Sequence, residues 1–332
     1  MSSPAADHLP VVARTAAAGT DSSVPAPSGD AAPAPGTGPT GVRLARWALH
    51  LPDSDALAAD LADWSGVAAR PLFAALRGAV PADRAREVLG PKGLLAKEPA
   101  TRLALCAVHR AFGLPRGRPA AVQVDPGVAV VVASNLGNVA TVADVIRTVR
   151  HDGGRAVSPL TAPNASSNVV ASTIALWYGF GGPNLMICSG STAGLDAIDT
   201  AVRLLRARRA TRVIVVGVEP ADEVATDLHR AGRPAAPLRA GAACLVLTAE
   251  PAVAEPTVWP EPGPPAPYHL GPDGFDPAAR WGDCYGAAGV VNVALAATLL
   301  AAGAPGPVSV GCGDDIDGRR AVRLDEGRRA DR

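Results

Sequence analysis

The chain has 332 residues, long enough to bury a large core, and its 31 basic and 31 acidic residues cancel. That balance leaves no electrostatic footprint for nucleic acid or an anionic membrane surface. The five cysteines, Cys106, Cys188, Cys244, Cys284 and Cys312, are widely spaced and odd in number, with no CxxC pair and no Cys/His spacing suited to zinc. This favours reduced thiols in a cytoplasmic protein over a disulfide framework or a metal site. The first 20 residues lack the apolar segment of a signal peptide, and the longest apolar helix candidate, Gly289 to Ala302, is too short to span a bilayer.

Residues 1–40 are rich in Ala, Pro, Ser, Gly and Thr and cannot bury enough surface to offset ordering entropy, so a disordered tail is expected, with folded structure from Gly41. Residues 93–112 have helical periodicity, and 128–134, "VAVVVAS", read as a strand buried on both faces. Residues 138–154 predict an amphipathic helix ended by glycines, 166–181 an apolar helix with a glycine stop, and 184–190 a short strand entering a helix over 192–208. Residues 211–220 and 241–250 read as two more buried strands. The proline-rich stretch 250–281 reads as a nearly structureless connector. A helix over 286–302 and two short strands, 307–313 and 320–324, complete the chain, with no short internal repeat apparent. Strands alternating with helices argue an α/β fold with a buried sheet.

Within this pattern "ICSGSTAGLDAI" (187–198) reads as a strand end, a small-residue turn and a helix start, a place where proteins put nucleophiles. It is not the hydrolase elbow, because Ser189 stands where G-x-S-x-G needs its first glycine. Cys188 reads as a buried core thiol, and His109 and His229 as helix-surface residues. The run Asp314, Asp315 and Asp317 reads as a solvated loop rather than a metal site.

The segment from Ser158 to Pro220 resembles the nucleophile region of the β-ketoacyl synthase family of thiolase-fold condensing enzymes: an Asn-containing helix, a Gly-Pro turn, the elbow, a helix and a "GVE" strand. "WGDCYGAAGVVNVAL" (281–295) resembles the family's "GHxxGAAG" helix, "VSVGCGDDID" (308–317) stands at its glycine-rich loop, and 89–107 fits an upstream helix. The resemblance implies a thiolase-like αβαβα layered fold of two related halves: 41–250, then a 251–280 connector, then a shortened half over 281–332. It implies no cofactor, with acyl groups delivered on the phosphopantetheine of an acyl carrier protein. It also implies a homodimer, or a heterodimer with an active ketosynthase, with Asn164 and Asn168 at its contacts.

Aligned on these motifs, the family's cysteine falls on Ser191 and the "GHxxGAAG" histidine on Asp283. The "HGTGT" histidine has no counterpart, unless His269 folds back from the connector. Gly311 and Gly313 take the place of the loop glycines that allow close backbone approach. A helix N-terminus activates a thiol readily, whereas a serine needs a base, and Asp283 is the residue left to orient one or act as one. "GLDAIDTAVRLL" is similar to chain-length-factor subunits, which serve as partners of an active synthase. Three readings compete: Ser191 as a small filler in a non-condensing partner subunit; Ser191 as the nucleophile of an acyltransferase moving an acyl chain to an alcohol, amine or second carrier; and a decarboxylative condensing enzyme, which the missing histidine pair disfavours because nothing would stabilise the enolate.

Overall fold

The computed structural model describes residues 42–119, 122–232, 234–249, 257–259 and 266–326. The expected tail, 1–40, and part of the connector lie outside these residues. In chain order the elements are β1 (Val42–His50), α1 (Asp55–Ser65), α2 (Ala69–Leu76), α3 (Arg86–Leu89), α4 (Pro99–Ala111), β2 (Val128–Ala133), α5 (Val139–Asp152), α6 (Val169–Tyr178), β3 (Asn184–Ile187) and α7 (Ala193–Arg206). There follow β4 (Arg212–Glu219), α8 (Glu223–Ala231), β5 (Gly241–Thr248), β6 (Thr257–Trp259), β7 (Tyr268–Leu270), α9 (Pro277–Arg280), α10 (Ala288–Ala301), β8 (Val308–Asp314) and β9 (Gly318–Asp325). The predicted strands and helices are present within a few residues of their expected bounds. The helix expected from 93 begins only at Pro99, whose fixed φ suits a first helical position.

The nine strands form one sheet in the order β3-β2-β4-β5-β1-β6-β9-β8-β7. Its halves repeat one pattern. In the first, β2 runs parallel to β4, β4 antiparallel to β5, and β5 antiparallel to β1. In the second, β7 runs parallel to β8, β8 antiparallel to β9, and β9 antiparallel to β6. The halves join where Val42 and Arg43 pair with Val258 and Thr257.

One face of both halves closes on α7 and α10: Val131, Val215 and Leu245 from the first half and Val308, Val310 and Val322 from the second share a single core with them. Helix α10, apolar all round, is buried along nearly its whole length, as a helix flanked on every side must be. The opposite face of the first half packs Val130, Ile214 and Cys244 under α4 and α6. The architecture is the expected thiolase-like α/β fold in two related halves. The shortening falls on the outermost layer, because among the described residues no helix covers the outer face of β6-β9-β8-β7.

Three expectations need correcting. The stretch 250–281 is not structureless: it supplies β6, β7 and α9. Prolines at 256, 260 and 267 confine these strands to three residues each, below the length at which period-two patterning is visible, and β8 and β9 provide their ladder partners. His109 is 2% exposed rather than on a helix surface, because α4 packs on the sheet beside α6, whose Tyr178 ring lies 6.4 Å from the imidazole; its Nε2 lies 2.8 Å from Pro115 O. An internal repeat does exist. A three-residue 3-10 turn leads into a 14-residue helix twice, at Gly190–Thr192 before α7 and at Tyr285–Ala287 before α10. In step along the two, Ala193, Gly194, Ala201, Leu204 and Leu205 match Ala288, Gly289, Ala296, Leu299 and Leu300.

Candidate functional site at the two elbows

The two turns meet where α7 crosses α10. A Cβ on Gly194 would lie 2.7 Å from Gly289 N, and one on Gly289 would lie 2.7 Å from Leu195 N, so the backbones touch only because both residues are glycine. Gly217 on β4 gives the second turn similar room, since its own Cβ would lie 2.9 Å from Ala287 O. Each elbow opens on a residue with positive φ, Gly190 at 68° and Tyr285 at 42°. The second is a strained backbone for a side chain as large as tyrosine.

Buried Glu219, at the end of β4, ties the elbows together. Its carboxylate accepts N–H bonds from Asn135 (2.7 Å) and Leu136 (3.0 Å) and the Ser134 hydroxyl (3.0 Å), and receives the backbone N–H of Gly286. Asn135 in turn donates through Nδ2 to Gly190 O at 2.8 Å and accepts the Gly190 N–H at 3.1 Å. Complete burial pushes the Glu219 carboxyl up to about 8, against the pull of those four donors.

Ser191 lies at the start of α7, as the motif requires, but its partner was not foreseen. Asp317, from the turn between β8 and β9, accepts the Ser191 backbone N–H at 2.7 Å and the Ser191 hydroxyl at 3.0 Å on the same oxygen, Oδ2. The carboxylate rests on Gly190, where any Cβ would collide with it. Asp314 braces the turn by accepting the N–H groups of Ile316 and Asp317. Partial burial works to raise the Asp314 carboxyl, but those two N–H groups and the Ser191 hydroxyl outweigh it and hold the carboxyl below its ordinary value. Around the same elbow Ser189 and Thr192 donate to Asp196 at 2.6 and 2.7 Å, and Arg320 pairs with Asp196 at 3.1 Å.

Asp283 is committed elsewhere. Its Oδ2 pairs with His229 Nε2 at 2.8 Å and its Oδ1 accepts the Tyr285 N–H at 2.7 Å. His229 is 7% exposed, correcting the helix-surface expectation: α8 turns inward to meet Asp283 and stacks the imidazole edge-on to Tyr285 at 5.5 Å. Burial, then the nearby carboxylates Asp317, Glu219, Asp314 and Asp283, push the Tyr285 phenol up, so it stays protonated beside the elbow. His229 had no local sequence signal, because its partner Asp283 lies 54 residues away along the chain.

Gly311 lies mid-strand in β8, and Gly313, with φ 110°, packs against Gly318 O across the β8–β9 hairpin. Among the described residues no hydrogen bond from either reaches Ser191. His269 does not fold back to the elbow. It sits in β7 opposite Ser309, while its neighbour Leu270 takes the inward face. Cys188 is exposed rather than buried, because β3 is an edge strand with one neighbour; its Sγ donates to Ser134 O at 3.1 Å. Burial of the sulfur, then the charge of Glu219, raises its pKa, which makes a poor nucleophile. Asn164 donates to Ala96 O at 2.6 Å, and Asn168 to Asn184 Oδ1 at 2.8 Å at the start of β3.

The arrangement supports little acyl chemistry at Ser191. A helix N-terminus favours an oxyanion by its partial positive charge, but here a carboxylate already occupies that position. An aspartate is a weak base toward a serine hydroxyl. No group of three or more His, Cys, Asp or Glu residues forms a metal-binding cluster among the described residues.

A two-half α/β sheet enclosing paired elbow helices defines a thiolase-like fold. The family model for the Beta-ketoacyl synthase, N-terminal domain, matches residues 51–237, and the chain belongs to that family. Among curated proteins, 3-oxoacyl-[acyl-carrier-protein] synthase 2 of Coxiella burnetii is 29% identical over 96 residues, covering 29% of this chain and 23% of that protein. The Vibrio cholerae protein of the same name is 29% identical over 105 residues, 32% of this chain and 25% of its own length. The matched stretch is thus about a quarter of these relatives. Among solved structures, the ishigamide ketosynthase/chain length factor superposes with TM-score 0.64 at 19% identity, covering 87% of this chain and all of that one. The AntDE:AntF structure, a type II polyketide synthase acyl carrier protein in complex with its ketosynthase, superposes with TM-score 0.64 at 14% identity over 86% of this chain and 99% of that one.

Proposed function

We propose that this protein is a non-condensing, chain-length-factor-like partner subunit of an active ketosynthase in a type II polyketide or specialised fatty-acyl pathway. The observation that carries this reading is Asp317. Its side chain takes both the N–H and the hydroxyl of Ser191, so the position that would stabilise a thioester oxyanion is already occupied by an acceptor. Neither family histidine has a replacement there, since Asp283 is spent on His229 and Tyr285 and His269 faces away. The open edge of β3, with Leu185 partly exposed on it, offers unpaired backbone groups to a strand of the partner. The acyl chain would arrive on a carrier protein docked to the pair.

Two measurements test this together. Co-expression with a type II ketosynthase from the same source is expected to yield a stable complex that Leu185→Lys disrupts and Ser191→Ala leaves intact. Intact-protein mass spectrometry after incubation with an acyl carrier protein or a short acyl thioester is expected to find no acyl gain on this chain. An acyl gain lost in Ser191→Ala, with no ketosynthase bound, would overturn the proposal in favour of the acyltransferase, whose support is the preserved elbow with Gly190 at φ 68°.

A further inference from the structure

The outer face of β6-β9-β8-β7 differs in chemistry from the outer face of the first half. Strand pairing places Trp259, Arg323, Ser309 and His269 in one transverse row across the four strands. Their sequence neighbours Val258, Leu324, Val308 and Leu270 belong to the core on the other side. Where the first half presents Val130, Ile214 and Val246 to α4 and α6, the second presents a polar row to no helix among the described residues.

Beside this row is a cavity of about 350 Å³ with His269, Pro272, Asp273, Gly311, Arg319 and Ala321 among its lining. The volume is in the range of small-ligand sites. Its floor is flat because Gly311 and Ala321 pair across β8 and β9. Gly311 gives the imidazole its place: a Cβ there would lie 3.3 Å from His269 Nε2. That Nε2 is buried and has no hydrogen-bond partner among the described residues. Leaving such an atom unmet costs on the order of 1–3 kcal/mol, which a ligand atom in the cavity would recover.

The opposite wall is Arg319. It donates to Asp273 at 2.6 Å and reaches Asp315 at 3.4 Å, a contact that is long and, with Asp315 93% exposed, screened by water. That side of the guanidinium is exchangeable. His269 Nε2, which has no acceptor, and Arg319, whose second edge is held only by the long contact to Asp315, both line this space. We propose that this cavity is a binding site for a small anionic ligand, a carboxylate or a phosphate monoester, gripped between His269 Nε2 and Arg319. Ser191 is not among its lining residues, so its failure would leave the partner-subunit reading untouched.

The test is calorimetric titration of the full chain with inorganic phosphate and, separately, with succinate, alongside NMR of the histidine ring signals. One of the two anions is expected to bind and to shift the His269 ring signals. Arg319→Ala and His269→Gln are each expected to weaken binding by about tenfold or more, while Ser191→Ala binds as the wild type does. Arg319 is half exposed and its substitution leaves the core intact. Phosphate binding alone would assign a phosphate ester, and succinate binding alone a carboxylate. Binding of neither anion, or binding unchanged in both variants, would overturn the proposal.

Discussion

Gly289→Ala is expected to cost about 3 kcal/mol, lowering the melting temperature of a chain this size by roughly 4–5 °C. The direction opposes local propensity, since alanine is better than glycine in a helix by about 1 kcal/mol. Packing wins because the new methyl would meet backbone atoms of α7, Leu195 N at 2.7 Å and Gly194 C at 3.0 Å, which no rotamer change can move. Gly194→Ala meets Gly289 N and Cα at 2.7 and 2.8 Å and is expected to cost as much, while Gly194→Leu should leave no cooperative unfolding transition. Gly154→Ala is the control: its Cβ has open space and should be neutral or slightly stabilising. Thermal unfolding followed by circular dichroism reads all four. Equal melting temperatures for Gly289→Ala and wild type would mean that the helices do not cross backbone to backbone.

The second large effect is expected at Glu219. Glu219→Ala strands the N–H groups of Asn135, Leu136 and Gly286 and the hydroxyl of Ser134 in the interior. Even with partial relaxation that costs on the order of 4 kcal/mol, and both elbows loosen with it. The carboxyl also confers a pH dependence. Its folded pKa of about 8 lies above the ordinary glutamate value of 4.5, so between those values the folded state holds a proton that the unfolded state releases. Its contribution to stability is therefore complete below the lower value and is lost as pH rises to about 8, at up to about 1.4 kcal/mol per pH unit. Melting temperatures of wild type and Glu219→Gln from pH 5 to 8.5 should differ in slope, the wild type falling more steeply. Parallel curves would place a charged carboxylate in the folded state throughout.

Much of the architecture was legible along the chain because each signal was local. "VAVVVA" can only be a strand buried on both faces, and "VVNVALAATLL" only a helix with no exposed side. Ser191 was found for the same reason, a strand end, a glycine turn and a helix start within a dozen residues. The repeat at Gly190 and Tyr285 was missed because its identities are small residues scattered among many others; only the superimposed turns make Gly194 and Gly289 stand out.

What the sequence determined by itself was the family and the two-half α/β fold, together with the position of the Ser191 elbow. Those depend on residue type and spacing. What only the tertiary structure decided was what surrounds Ser191. Asp317 is 126 residues away along the chain, and nothing in an acidic hairpin turn reports which helix it will cap. The same holds for His229, which meets Asp283 across 54 residues of intervening chain, and for His269, aimed outward by the strict alternation of β7. Charge and hydrogen bonding act through a few ångströms of space, and sequence order carries no measure of that distance until the sheet has closed around its two central helices.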